Sequence, residues 1–381
     1  MRTHGLPIRP VPGRVSCGWS FGVFTMWIDS PVLRELGWRT HFIQQLSLED
    51  VENCRALRVS AVHRSHLDAL GECGECRVVP GQSLPGTALS SVVTVGDWVL
   101  TESPGARIVR VLERSSSLSR RAAGSEAREQ LIAANLDTLF IVSACDGDFN
   151  LSRLERYLAL ARAARIEAVV VLTKRDLCAD PDSRLACAAE VCRDSTVLAM
   201  NATRRDEVLA LTPWLAAGRT VAFVGSSGVG KSTLVNALHG AEVQRPGATR
   251  LHDGKGRHTT SARQLLVMPG GALLIDTPGM RELGVGAVED GIAATFDDIH
   301  LIAQRCRFRD CRHDTEPGCA VLAAVSQGLL SARRLRSYLK LQREAAHAAA
   351  TRHERHAVER RFGRLCKDIQ RRARRDKSGE S

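Results

Sequence analysis

One octapeptide constrains the fold of this chain more than any other feature. Residues 225–232 read GSSGVGKS and fit the pattern G-x-x-x-x-G-K-[ST], directly after the apolar run TVAFV and before the helix-forming run TLVNALHG. In this strand–loop–helix setting the pattern predicts a phosphate-binding loop rather than a chance glycine-rich turn. Glycines let backbone N–H groups close around a phosphate, and the helix N-terminus adds positive potential. The chain should therefore contain an α/β domain that binds a nucleoside phosphate.

Several residues of this region have separate expected roles. Lys231 can reach the β- and γ-phosphates, and the Ser232 hydroxyl can bind Mg²⁺. Asp276-Thr277-Pro278-Gly279 lies 45 residues after Lys231, at the end of the apolar run ALLID. This position suits a catalytic Asp276 near Mg²⁺ and a Gly279 whose N–H contacts the γ-phosphate. The expected nucleotide contacts from the loop are Gly225, Ser226, Ser227, Gly228, Val229, Gly230, Lys231, Ser232 and Thr233.

A second motif indicates which base is bound. Thr173-Lys174-Arg175-Asp176 ends the apolar run AVVVL and resembles the N/T-K-x-D motif of GTPases, with Thr173 in place of the more common Asn. A buried Asp176 carboxylate would accept hydrogen bonds from guanine N1–H and the exocyclic amine, and adenine lacks that pair of donors. The aliphatic part of Lys174 can pack on the purine face. Asn201-Ala202 is a weaker candidate for reading guanine O6 through a backbone N–H.

The order of the two motifs is inverted. The base motif at residue 173 precedes the phosphate-binding loop at residue 225, whereas ordinary GTPases have the reverse order. A circular permutation of the same sheet explains this order most simply. The ends of the permuted unit would then lie between the DTPG region and the run LDTLFIVSA. We therefore hypothesise that flanking domains attach beside the switch that follows DTPG, where a γ-phosphate signal can move them.

The segment GKGRHTT, residues 254–260, is the candidate switch. Its two glycines and basic residues predict a mobile loop. Thr259 or Thr260 is expected to ligate Mg²⁺, and Thr260 is the preferred of the two. Met280 stands after Gly279, and its side chain cannot orient a water molecule by a hydrogen bond. His258 is the candidate for that catalytic role. A contact between His258 and a phosphate or RNA remains the alternative.

A compact cluster of metal-ligand residues lies near the C-terminus. Cys306, Cys311, His313 and Cys319 form the pattern C-x4-C-x-H-x5-C within 14 residues. Three thiolates and one imidazole make a closed tetrahedral set for structural Zn²⁺. Neighbouring arginines give this segment a basic surface suited to RNA. The separate pair Cys73 and Cys76 has no second pair nearby, and we interpret it as incidental.

Hydrophobic patterning divides the chain into five regions. Residues 1–50 form an N-terminal extension, and short Val-rich runs over residues 51–114 predict a small OB-like β-barrel. Strand–helix alternation over residues 125–288 predicts a mostly parallel, doubly wound sheet that carries the nucleotide motifs. Residues 289–345 are expected to form a helical zinc-binding domain, and residues 346–381 a basic helical tail.

Charge and composition indicate the partner and the compartment. Of the net charge of +11, residues 331–381 carry +10, from 16 Lys+Arg and 6 Asp+Glu. Such a segment suits a polyanionic partner, although a solvated basic helix without a partner is an alternative. We found neither an apolar run long enough for a bilayer span nor a secretory signal, which predicts a cytoplasmic protein without membrane contact. The 12 cysteines are then expected to be thiols and metal ligands.

Over about residues 35–345 the chain resembles the ribosome small-subunit-dependent GTPase A (RsgA) family. Five segments carry this resemblance: TKRD, GSSGVGKST, GRHTT, DTPG and CRFRDCRHDTEPGCAV. The resemblance implies a circularly permuted GTPase with an OB-fold before it and a zinc domain after it. Carried over by position, residues 173–176 and 225–233 bind GTP or GDP, and Cys306, Cys311, His313 and Cys319 bind one zinc ion. It also implies action in late maturation of the 30S subunit, contact with 16S rRNA and ribosome-stimulated hydrolysis, by a protein that we expect to be monomeric. A permuted GTPase of the large subunit and an RNA-binding module with a structural nucleotide site are the competing interpretations.

Overall fold

The computed structural model describes residues 27–81, 92–102, 107–121, 129–240, 263–276 and 289–346. These residues form helices and strands from the N-terminal extension to the start of the basic tail. None of the helices in these ranges is long and apolar enough to cross a membrane. No disulfide joins the cysteines within them.

The N-terminal segment is helical and packs against the first strands. A 3₁₀ turn at Trp27–Asp29 is followed by α1 (Pro31–Glu35), α2 (Thr40–Ile43) and α3 (Leu48–Asn53). The ring of Trp38 lies 4.7 Å from Trp98 and 5.6 Å from Phe42, centroid to centroid. Large buried aromatic surfaces of this kind contribute strongly to packing. They fix the segment from residue 27 onward to the domain that follows.

Five short strands follow: β1 (Arg55–Val62), β2 (Leu67–Gly71), β3 (Gly74–Val78), β4 (Trp98–Thr101) and β5 (Ile108–Val111). β1 pairs antiparallel with both β2 and β4, β2 pairs with β3, and β4 pairs with β5. A parallel bridge between Val79 and Arg107 then links the end of β3 to the start of β5. The five strands therefore close into a ring, in the order β3-β2-β1-β4-β5 with β5 bridged back to the end of β3, and the interior of this five-stranded ring is apolar.

The central sheet holds the nucleotide motifs. Its strands are β8 (Thr138–Ala144), β9 (Glu167–Thr173), β10 (Thr196–Ala199), β11 (Thr220–Val224), β12 (Gln264–Val267) and β13 (Leu273–Asp276). A separate hairpin of β6 (Ser117–Arg121) and β7 (Glu129–Ala134) precedes them. The helices α4 (Leu151–Ala163), α5 (Pro181–Val191), α6 (Arg205–Val208) and α7 (Lys231–His239) connect the strands.

The strand order in space is β10-β9-β8-β11-β13-β12, with only β12 antiparallel to its neighbour. β11, which leads into the phosphate-binding loop, lies in the middle, although three strands of the sheet precede it in sequence. Because the carboxyl ends of parallel strands meet at one edge, the loops after β8, β9 and β11 lie at the same edge as Asp276, the last residue of β13. The inverted motif order is therefore compatible with a single site.

The C-terminal region packs on the back of α4. It contains α8 (Glu289–Thr295), α9 (Asp297–Ala303), α10 (Ala320–Ser326) and α11, the helix over residues 332–346. The fully buried carboxylate of Glu155 in α4 accepts hydrogen bonds from Arg333 at 2.8 Å and Arg334 at 3.1 Å. Arg334 also donates to Asp298 at 2.7 Å. This network attaches α11 to the central sheet through α4 and α9.

Candidate functional site

The phosphate-binding loop has the backbone that its glycines allow. Gly225, Gly228 and Gly230 have φ values of 144°, 80° and 95°, a region in which side chains are strained. A Cβ atom at Gly225 would lie 2.1 Å from the carbonyl oxygen of Val142 in β8. The loop therefore passes so close to the neighbouring strand that only glycine fits, and α7 begins directly after it at Lys231.

Lys231 and Asp276, the two predicted catalytic residues within the described ranges, reach the same edge of the sheet. The Lys231 Nζ atom donates to the carbonyl oxygens of Gly225 at 2.7 Å and Ser226 at 2.5 Å, so its charge lies against the loop. Asp276 is the last residue of β13, which pairs in parallel with β11. Asp276 therefore stands at the sheet edge from which the loop starts, the position expected of a carboxylate near a nucleotide-bound Mg²⁺.

The base motif is joined directly to this loop. Thr173 is the last residue of β9 and is fully buried, and its hydroxyl donates to the carbonyl oxygen of Val229 at 2.5 Å. This bond spans 56 residues of sequence. It also gives Thr173 a structural role that the sequence did not indicate, because its hydroxyl contacts the phosphate-binding loop.

The rest of the base motif turns outward. Lys174 has a left-handed backbone, with φ of 57°, and Arg175–Leu177 form a 3₁₀ turn. Asp176 is exposed rather than buried, so the sequence-based expectation of a buried carboxylate is corrected: the side chain is open to a ligand that approaches from solvent. The Lys174 Nζ atom donates to Asp146 Oδ2 at 2.8 Å.

The candidate O6-reading loop lies beside the base motif. The Arg175 N–H donates to the carbonyl oxygen of Met200 at 3.4 Å, which places Asn201-Ala202 next to TKRD. The Asn201 N–H donates to Glu207 Oε2 at 2.7 Å, and its side-chain oxygen accepts from Thr203. Because the Asn201 N–H already has a protein acceptor, Ala202 is the better donor candidate of the pair.

Three charged residues of the site were missed by the sequence analysis. Asp146 and Asp148 follow β8, and Arg153 lies in the first turn of α4. Arg153 Nη1 donates to Asp148 Oδ2 at 2.7 Å and also to the Ser226 hydroxyl of the phosphate-binding loop. The only sequence signal was their place after a buried strand, at the edge that also carries the two motifs.

Three predicted site residues, His258, Thr260 and Gly279, lie outside the described residues. The Met280 position and the basic tail after residue 346 also lie outside them. The roles assigned to these residues stay predictions.

The cysteine and histidine cluster converges on one point. The ligand atoms of Cys306, Cys311, His313 and Cys319 all lie within 4.8 Å of one another. Cys306 Sγ is 3.7 Å from His313 Nδ1 and 3.9 Å from Cys319 Sγ, and Cys319 Sγ is 3.5 Å from His313 Nδ1. A tetrahedral zinc ion separates two thiolates by about 3.8 Å and a thiolate from an imidazole nitrogen by about 3.6 Å. The donor set and its spacing therefore fit zinc.

The residues in and around the cluster favour the binding of a cation. Burial lowers the pKa of His313, so the imidazole stays neutral, the form that binds metal. The exposed Glu316 carboxylate accepts bonds from the backbone N–H groups of Arg312 at 2.9 Å and Asp314 at 3.0 Å, and these bonds lower the pKa of Glu316 to about 2. The carboxylate thereby shapes the loop that carries His313.

A second group, on the β1–β2 turn, is a weaker metal candidate. His63 Nε2 lies 2.7 Å and His66 Nε2 lies 3.8 Å from the carboxylate of Asp68. Arg77 Nε lies 3.9 Å from the same carboxylate. Because Asp68 already has this cation as a neighbour across the β2–β3 pair, the group is better described as an ion-paired hairpin.

These features define a class: a P-loop GTPase with a circularly permuted strand order. Comparison with known proteins then identifies the family. The RsgA GTPase family model matches residues 111–286. The chain is 49% identical over 338 residues to "Small ribosomal subunit biogenesis GTPase RsgA 2" of Vibrio vulnificus, with 89% of this chain and 95% of the relative covered. A relative named "Small ribosomal subunit biogenesis GTPase RsgA" from Mesorhizobium japonicum is 46% identical over 84% of this chain and 91% of its own length. The chain belongs to the RsgA GTPase family and is a GTP hydrolase.

Solved structures agree with the fold. The crystal structure of YjeQ from Thermotoga maritima has a TM-score of 0.55 and 25% identity, and the match covers 76% of this chain and 97% of that protein. The structure of YloQ, described as a circularly permuted GTPase, also has a TM-score of 0.55, at 23% identity over 77% of this chain and 96% of that one. The circular permutation predicted from motif order is therefore confirmed.

Proposed function

We propose that this protein hydrolyses GTP on the small ribosomal subunit and assists the late maturation of that subunit. The observation that carries the proposal is the contact between the base motif and the phosphate-binding loop, which gives one guanine-nucleotide site on a permuted sheet. The chain also covers nearly the whole length of relatives whose names state small ribosomal subunit biogenesis. The protein acts as a cytoplasmic monomer that contacts 16S rRNA.

The nucleotide lies across the carboxyl edge of the central sheet. Backbone N–H groups of residues 225–233 and the Lys231 ammonium bind the phosphates, and Asp176 accepts hydrogen bonds from the guanine edge. Ser232 and Thr260 would hold Mg²⁺, with help from Asp276. When bound, Mg²⁺ neutralises charge that develops on the β- and γ-phosphate oxygens.

Hydrolysis then depends on how the chain positions the attacking water. Lys231 stabilises charge on the transferred phosphoryl group, and the Gly279 N–H contacts its oxygens. His258 orients the water, because Met280 offers no hydrogen bond. The small subunit stimulates turnover by acting on His258 and Thr260.

Two flanking parts contact RNA. The five-stranded ring within residues 51–114 acts as an OB-like barrel, a proposal supported by its closed strand pairing and its short strands. Residues 289–345 form a zinc-binding domain in which Cys306, Cys311, His313 and Cys319 bind one structural ion. Removal of that ion would unfold the loop over residues 306–319, because all four of its ligands converge on the one ion.

A turnover panel tests the proposal. GTP hydrolysis is measured for the protein alone and with 30S subunits, 50S subunits or free 16S rRNA, with Lys231→Ala as the inactive control. The proposal predicts that 30S subunits raise kcat well above the level reached with 50S subunits or RNA. Stimulation by 50S subunits alone would assign the protein to the large subunit, and no turnover under any condition would leave a nucleotide site without hydrolysis.

A further inference from the structure

A chain of charged contacts runs between the two halves of the nucleotide site. Lys174 Nζ donates to Asp146 Oδ2 at 2.8 Å, and the Asp148 N–H donates to Asp146 Oδ1 at 3.0 Å. Arg153 Nη1 donates to Asp148 Oδ2 at 2.7 Å and to the Ser226 hydroxyl. The contacts therefore lead from the base motif to the phosphate-binding loop without interruption.

The topology explains why this segment can connect the two motifs. β8 lies between β9 and β11 in the sheet, so the loop after β8 lies between the loops that follow those two strands. The Asn150 side chain accepts a bond from the Arg153 N–H at 3.1 Å and caps the start of α4. This cap fixes the first turn of α4, and with it the direction of the Arg153 side chain.

The contacts have the chemistry of an ordered network. Each of the four charged side chains is roughly one-third exposed, from 31% for Arg153 to 40% for Asp148, so solvent screens them only partly. The bond from Lys174 lowers the pKa of Asp146, which keeps that carboxylate ionised at neutral pH. One such pair contributes little to stability, whereas a network that ends on two ligand-binding loops can fix their relative position.

We propose that Asp146, Asp148 and Arg153 form a bridge that sets the position of the phosphate-binding loop relative to the base motif. Arg153 is then a positioning residue for GTP hydrolysis, acting through Ser226. The inference rests on the proposed function only in requiring that one GTP molecule binds to both loops.

The contacts of the bridge are linked one after another, so the loss of any one of them disconnects the two loops. This arrangement predicts how the hydrolysis rates of single and double variants compare. Breaking it at Asp146 or at Arg153 releases the same loop, so either change alone removes the whole positioning effect. We expect Asp146→Ala and Arg153→Met each to lower the single-turnover rate constant about tenfold, since small misplacement of a reacting phosphate is costly. The double variant should then be no slower than either single variant. Two independent contacts would instead give effects that multiply to about 100-fold.

The experiment measures single-turnover hydrolysis and the Kd for a fluorescent GDP analogue in the full-length protein. Arg153→Met should lower the single-turnover rate constant much more than it raises Kd, because the guanine contacts remain. Arg153→Lys, which keeps a cation, should recover part of the rate. Arg162→Met is the matched control: this arginine lies at the other end of α4, where it contacts Asp194 at 3.2 Å and donates to the carbonyl oxygen of Ala294 in α8. Thermal melting of each variant shows whether the fold is intact.

The outcomes separate the two proposals. If the unmodified protein neither binds nor hydrolyses guanine nucleotides, the proposed function fails. If it hydrolyses GTP while Arg153→Met leaves the rate unchanged, or while the double variant shows multiplied effects, the bridge is refuted and the proposed function stands. A rate loss in Arg162→Met equal to that in Arg153→Met would also refute the bridge, because the effect would then belong to the helix in general.

Discussion

At the scale of single residues, Thr173 shows how a residue of the base motif can also stabilise the neighbouring phosphate-binding loop. Its hydroxyl donates to the Val229 carbonyl, and the side chain is fully buried. Thr173→Val keeps the shape but leaves that carbonyl without its donor, so we expect a loss of about 1–3 kcal/mol in the free energy of unfolding. Urea denaturation measures this loss. Thr173→Ser, which keeps the hydroxyl, should lose clearly less, and equal losses would contradict the role of the bond.

The exposed carboxylate of Asp176 permits a second prediction, about base specificity. Asp176→Asn removes a charged acceptor for guanine N1–H and the exocyclic amine, so we expect GTP binding to weaken about 10- to 100-fold. The amide also supplies a donor for the C2 carbonyl oxygen of xanthine. Competition binding with GTP and xanthosine triphosphate should therefore show a change in preference toward the latter. Unchanged GTP affinity would remove Asp176 from the base site.

Individual residues also mark the limit of sequence reasoning. GSSGVGKS and TKRD could be recognised because their chemistry needs fixed spacing within a few residues. Asp146 and Arg153 could not, because their partners Lys174 and Ser226 are 28 and 73 residues away, and common charged residues after a strand carry no pattern. The exposure of Asp176 could not be inferred either, since it depends on the 3₁₀ turn at Arg175–Leu177.

At the scale of secondary-structure elements, the attachment of α11 to α4 and α9 depends on buried charge. Burial alone would raise the pKa of Asp298, but the Arg334 hydrogen bond and charge outweigh it, and the net pKa lies below its ordinary value. The unfolded chain therefore binds a proton more readily. Asp298 contributes stability above the ordinary carboxyl pKa of about 4, and this contribution is lost as the pH falls through the lower folded-state value.

The lowered pKa of Asp298 predicts how the stability of the protein depends on pH. We expect the free energy of unfolding to fall as the pH is lowered from about 5 to 3, and Asp298→Asn to reduce that slope. Urea titrations over this pH range measure both. Asp182→Asn, at an exposed position of α5, is the control and should leave the slope unchanged. An identical slope in the Asp298→Asn variant would show that this carboxylate is not linked to stability.

The same elements show what patterning can predict. Apolar runs such as LDTLFIVSA and TVAFV correspond to β8 and β11 because strands buried on both faces are continuous in hydrophobicity. Glu155 is the opposite case. Its charge on an amphipathic helix predicts a solvent-facing residue, yet it is fully buried because Arg333 and Arg334, almost 180 residues later, cover it. The hydrophobic periodicity of a helix sequence carries no information about a contact with residues so distant in the chain.

At the scale of the whole molecule, the permuted order decides what lies beside the nucleotide switch. The five-stranded ring joins the central sheet where Ala61 of β1 pairs with Gln264 of β12. β12 is the strand between the candidate switch and β13. The ring therefore contacts the strand that follows the candidate switch in sequence. The hypothesis that flanking domains attach beside the switch that follows DTPG concerns residues outside the described ranges and stays a prediction. It would fail if the flanking domains kept identical positions in GDP and GTP-analogue structures.

The uneven charge of the chain gives a test of the proposed RNA binding. Residues 347–381 contain 11 Lys+Arg and 5 Asp+Glu. If this segment binds phosphates, its deletion should weaken 30S binding and flatten the salt dependence by about 0.7–0.9 log units per log unit of salt for each phosphate that the segment neutralises. Binding measured at several salt concentrations tests this. Equal slopes with and without the segment would favour a solvated helix that has no RNA partner.

The central claim is that Asp176 and Lys231, in inverted sequence order, bind opposite ends of one nucleotide. A crystal structure with a non-hydrolysable GTP analogue and Mg²⁺ tests it most directly. We predict guanine within hydrogen-bond distance of Asp176 and the β- and γ-phosphates within reach of Lys231, in a single ligand that spans the edge from β9 to β11. A nucleotide that engages Lys231 while its base lies away from Asp176 would contradict the account.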